Sequence, residues 1–131
     1  MSSSSVSLQL LENAVDAIEQ MSHHMRESQP DVAFTSSTDL LSLSPNEEER
    51  VLIEETESYR ERPTLSAIQF CLKSSMAMLA ICHSLIEHDA AESPGERERH
   101  WKKLAADAKT AARTAYRAAL ILSDPDGNEG P

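Results

Sequence analysis

Residues 65–86, LSAIQFCLKSSMAMLAICHSLI, form the most apolar stretch of the chain and decide its fold. Leu65, Ile68, Leu72, Ser75, Leu79, Cys82 and Ile86 recur three and four residues apart, the spacing of a coiled-coil seam. Phe70, Cys71, Met78, Ile81 and Leu85 widen the apolar arc past half the helical wheel. A helix over 64–90 with so broad an arc belongs at the centre of a bundle, touching two or more neighbours. A membrane span is the weaker reading, because Gln69, Lys73, His83 and four serines interrupt the run and are costly in lipid.

The flanking sequence supplies the neighbours. Downstream, Ser93-Pro94-Gly95-Glu96 combines a serine N-cap, a proline at the first helical position and a glutamate at the third. It opens a helix over 94–123, on which Trp101, Leu104, Ala105, Ala108, Ala111, Ala112, Ala115, Ala119 and Leu122 share one face. Alanines at a seam let helix axes approach closely. The short loop before this helix implies an antiparallel hairpin with 64–90, with Leu72, Leu79 and Ala108 meeting inside. Upstream, Ser44-Pro45-Asn46-Glu47 repeats the cap and opens a shorter helix, 45–62, ended by Pro63. Its apolar residues Val51, Leu52, Ile53 and Tyr59 form no single stripe.

Residues 6–28 are amphipathic. Leu8, Leu10, Leu11, Ala14, Val15, Ile18, Met21 and Met25 fall on one half of the wheel, opposite Gln9, Glu12, Asp16, Glu19, His23 and Glu27. Residues 29–43, QPDVAFTSSTDLLSL, read as a long connection that Phe34, Leu40, Leu41 and Leu43 can pin to the bundle. Residues 1–5 and 124–131 are expected to be disordered.

Composition agrees with an all-α fold. The 131 residues include three glycines and 4% aromatics, too few for an all-β domain. The expected architecture is an antiparallel bundle of three long helices plus one shorter helix, a single domain over 6–123. The net charge of −10 opposes binding to nucleic acid or an anionic membrane. Cys71 and Cys82 would lie about 16 Å apart on one straight helix, too far to bond. They read as reduced thiols in a cytoplasmic protein, and residues 1–7 lack the pattern of a secretory signal.

Chemistry is hard to find. The chain has no Glu-x-x-His pair of the kind that binds two irons in carboxylate bundles. It also lacks a Gly-x-Ser-x-Gly elbow, a phosphate-binding glycine loop, Cys-x-x-Cys and His-Glu-x-x-His. Cys82 and His83 are adjacent, so on a helix they diverge by about 100° and cannot pair as nucleophile and base. We therefore expect no enzyme activity, cofactor or metal. Charge is uneven: residues 94–123 carry seven bases against three acids, and 44–62 carry seven acids against three bases. The two faces can be solvated, or face one another, or the basic one can dock an acidic partner.

The expected function is that of a non-enzymatic protein-binding module, an adaptor, chaperone-like or inhibitory protein acting through helix faces. A self-assembling structural subunit is the alternative, and a helical enzyme or metal-binding protein with an unrecognised site ranks below both. The surfaces singled out for a partner are the basic stripe Lys102, Lys109, Arg113 and Arg117, and the connection around Phe34, Leu40 and Leu41. The quantity of apolar surface also predicts a homodimer, or a heteromer in which one helix packs on the partner.

Overall fold

The computed structural model describes residues 3–29, 34–58, 61–88 and 93–124. It is all-α, with helices α1 (Ser3–Ser28), α2 (Ser37–Ser42), α3 (Pro45–Ser58), α4 (Pro63–Glu87) and α5 (Pro94–Ser123). Both serine-proline caps form. Ser44 Oγ accepts from the Glu47 N–H at 3.3 Å, and Ser93 Oγ accepts from the Glu96 N–H at 3.4 Å. Each satisfies one of the donors that a helix start leaves without a partner.

Three boundaries differ from expectation. α1 begins at Ser3, three residues ahead of the expected start at residue 6. The connection 29–43 contains α2, capped by Ser36, whose Oγ accepts from the Asp39 N–H at 3.1 Å. That Ser-x-x-Asp pattern was visible but hidden in a run rich in serine and threonine. α3 closes at Ser58, while residues 59 and 60, including Tyr59, lie outside the described residues, as do 89, 90 and 125–131.

α4 is central, with α1 and α5 packed on its two sides. α4 and α5 form the expected hairpin, and the Ser74 hydroxyl donates to the Ala111 carbonyl at 2.9 Å, setting those residues level. Glu12 meets His83 near one end of α1, and Arg26 shares the Phe34 ring with Lys73 near the other. α1 therefore also runs antiparallel to α4. α2 and α3 cover one face of this three-helix layer, hereafter the front. There Leu40, Leu52, Phe70 and Ala118 form the apolar core, with Leu43, Val51 and Ile121 against it.

The interior is not uniformly apolar, which corrects the expected seam. Leu72 and Leu79 are only half-buried, Ala108 is exposed, and Ile68, Ser75 and Cys82 of the α4 seam face water. The side of α4 turned inward is Ser66, Ala67, Gln69, Phe70, Lys73, Met76 and Ala77. On α5 it is Leu104, Asp107, Thr110, Ala111, Thr114 and Ala118, whereas Ala105, Ala108, Ala112, Ala115 and Ala119 are exposed. Ion pairs select the orientation. Lys73, 1% exposed at its side chain, donates to Glu55 Oε2, and the Thr35 N–H donates to Glu55 Oε1 at 2.6 Å. Burial pushes the Lys73 ammonium below its ordinary pKa, against the opposing pull of the Glu55 charge and hydrogen bond. Glu48, also buried, accepts from Thr110 Oγ1 at 2.7 Å and Arg113 Nη1 at 3.1 Å.

Candidate binding groove

On the front, α2 does not reach across the whole layer, and the gap between α1, α2, α4 and α5 is an open groove of about 770 Å³. Its apolar lining is Val15 from α1, Leu41 from α2, Leu43 just beyond it, Met76 and Ala80 from α4, and Ala106 from α5. Glu12, Asp16 and Glu19 form one wall, spaced four and three residues apart so that they project from one side of α1. Lys103 stands at the opposite wall, where it donates to the Leu41 carbonyl at 3.3 Å and to Asp107 Oδ1 at 2.6 Å. The first of these bonds ties α2 to α5, and the second, within α5, holds the Lys103 side chain in place for it. His83 sits between Glu12, at 3.5 Å, and Glu87, at 3.7 Å.

Two smaller clefts adjoin it. One, of about 160 Å³, is lined by Phe34, Arg26, His23 and Glu19. The Phe34 ring centroid lies 5.7 Å from the Arg26 guanidinium and 5.1 Å from the Lys73 ammonium, so two cations share one aromatic ring. The other, of about 310 Å³, lies between α5 and the α2–α3 junction.

The residues singled out from sequence separate into three environments. Leu41, Lys102, Lys109 and Arg113 line the last cleft together. Lys102 also lies 3.6 Å from Glu98 on its own helix. Arg113 and Arg117 are turned toward α3, held by Glu48 at 3.1 Å and Glu49 at 2.5 Å. The acidic and basic segments thus do face one another, and much of the stripe is engaged internally. Phe34 is half-buried in the neighbouring cleft. Leu40 is not a surface residue: at 1% exposure it belongs to the apolar core, because the turn of α2 points it inward while Leu41 points outward.

Sequence reasoning placed Glu12, Asp16 and Glu19 on a solvent face and did not connect them with a site. Their common projection beside Val15 was the available signal, but the opposite wall comes from α2 and α5, which no local pattern could place. Among the described residues no group of three or more His, Cys, Asp or Glu side chains comes together in a way that could hold a metal ion. Compared with protein-family models, curated proteins and solved structures, the chain shows no significant match to any.

Proposed function

We propose that the chain is a non-enzymatic protein-binding module whose front groove takes an apolar segment bearing basic residues. The observation that carries this reading is the pairing of an apolar floor, Val15, Met76 and Ala80, with the carboxylate wall Glu12, Asp16 and Glu19. An amphipathic helix laid in such a groove would bury its apolar side chains and set lysines or arginines against the wall. Electrostatic complementarity of this kind gives orientation and association rate more than affinity, while the floor gives affinity. The basic stripe of α5 is the lesser candidate, since Arg113 and Arg117 already have carboxylate partners.

Affinity purification on the immobilised chain from its native host, followed by titration of the recovered protein, tests the proposal. Asp16→Lys/Glu19→Lys should weaken binding and make the remainder insensitive to salt, with helicity unchanged. Lys109→Glu should leave affinity near that of the parent chain. A partner retained by the first variant and lost by the second would move the site to α5. Self-assembly is a second reading, favoured by the uncovered apolar residues on the other face of the layer.

A further inference from the structure

α4 and α5 each carry a second seam, facing away from α2 and α3. On α4, Ile68, Cys71, Ser75, Met78, Cys82 and Leu85 step by three and four residues, and every one is exposed. On α5, Trp101, Ala105, Ala108, Ala112, Ala115, Ala119 and Leu122 step by four and three, and every one is exposed. At 100° per residue the α4 seam lies opposite Lys73 and Ser66, which face the front. The α5 seam lies on the side away from Thr110, Arg113 and Arg117, which face α3. The two seams therefore share the back of the hairpin and make one apolar surface, with Leu10 and Met21 of α1 exposed beyond it.

We infer that this surface is covered by the back of a second copy of the chain, α4 of one lying over α5 of the other. Size decides the occupant. The α4 seam carries the large side chains Ile68, Met78 and Leu85, and most of the α5 seam is alanine. The Ser74–Ala111 hydrogen bond fixes the level of the two helices. Counting from it at equal rise, Ile68 stands level with Ala115 and Ala119, Met78 with Ala108, and Leu85 with Trp101. A twofold axis parallel to the helices keeps those levels and places each α4 on the partner's α5. Bulk then meets alanine at Ile68 and Met78 in both halves, the self-complementarity a twofold interface requires. Each α4 also runs antiparallel to the α5 it covers, the up-down arrangement of a four-helix bundle.

The area suffices. The α5 seam spans about 32 Å, and two helices each about 10 Å wide present roughly 600 Å² per copy, so about 1,200 Å² is buried in total. That reaches the lower bound of stable interfaces, and the rim from α1 adds to it. α4 is long and apolar enough to cross a membrane by length and composition. A lipid surface is therefore the competing occupant to test.

Sedimentation velocity of the full chain from 1 to 200 µM should give a mass near twice 14.5 kDa at the upper end. Ala112→Glu/Ala115→Glu, two exposed positions outside the monomer core, should sediment as one chain with unchanged helicity. Cys71 and Cys82 should react with a thiol reagent more slowly in the parent dimer than in this variant. A single-chain mass at 200 µM, or a dimer unaffected by the two glutamates, would overturn the inference. So would flotation of the parent chain as a monomer on phosphatidylcholine–phosphatidylglycerol vesicles. The groove is on the other face, so its carboxylate variants should leave the dimer mass intact and the two proposals can fail separately.

Discussion

On the front of α4, Ser66, Gln69 and Lys73 are shut away from water beside Phe70 and Ala77; on the back, Ile68, Met78 and Leu85 stand in it. Transfer free energy taken residue by residue would assign the faces the other way. Pairing reverses it: Lys73 finds Glu55, and Phe70 brings Leu40 and Leu52 with it. A buried charge is tolerated when paired and hydrogen-bonded, whereas an exposed methionine or isoleucine forfeits only its own transfer term. The contrast teaches that one helix can hold two seams and that specific partners, rather than total hydrophobicity, choose which one folds the monomer.

The sharpest way to break the contrast is a pair of alanines on α4. Phe70→Ala should lower stability by about 3–5 kcal/mol, because it empties a fully enclosed site. Met78→Ala should change it by no more than about 0.5 kcal/mol. Urea denaturation at sub-micromolar concentration, below any self-association, measures both. Equal losses would mean that the back seam is folded into the monomer after all.

Glu55 tests the polar half of the front. Glu55→Ala leaves Lys73 buried without its counter-ion and the Thr35 N–H without its acceptor, a loss of about 3–5 kcal/mol. Glu55→Met/Lys73→Met removes both charges and should recover most of that loss, since buried pairs contribute little net stability beside well-packed apolar side chains. If the double variant is as unstable as Glu55→Ala, the pair contributes more than the removal of a lone charge explains.

The helices themselves were legible because their signals are local. Two serine-proline caps marked the starts of α3 and α5, and the spacing of Leu11, Val15 and Ile18 marked the side of α1 that meets α4. The phase of α4 and α5 was not legible. Ile68 and Leu72 belong to one apparent seam, and an apolar arc wider than half the wheel does not say which edge turns inward. That information lies in Glu48, 62 residues away from Thr110, and in Glu55, 18 residues away from Lys73, on a helix whose apolar residues make no stripe. The groove was illegible for the same reason, because Lys103 becomes part of it only when α2 is laid across α5.

Gln69 offers a smaller test. Among the described residues neither its side-chain oxygen nor its nitrogen has a hydrogen-bond partner, and Ser66 Oγ lacks one too. Gln69→Met keeps the length and removes the desolvated amide, so it should stabilise the chain by about 1–3 kcal/mol in thermal unfolding. A destabilised Gln69→Met would show that the amide contributes to the fold.

The smallest expected effect is the pH dependence that Lys73 adds, reduced because Glu55 opposes the cost of burial. The folded-state pKa of Lys73 lies below its ordinary value of 10.5, with burial the largest cause. Between the two values the unfolded chain holds more protons than the folded one, so stability contributed through this group rises with pH in that window. Below the folded-state pKa both states carry the charge and the full burial cost is present; above 10.5 both are neutral and that cost is gone. The quantity to follow is the stability of the parent chain minus that of Lys73→Met, which isolates the contribution of this group. The difference should move in favour of the parent as pH climbs toward 10.5. A difference that moves the other way would mean that Glu55 holds the ammonium more strongly than burial disfavours it, and the front of α4 would then owe its orientation to a net-favourable charge pair.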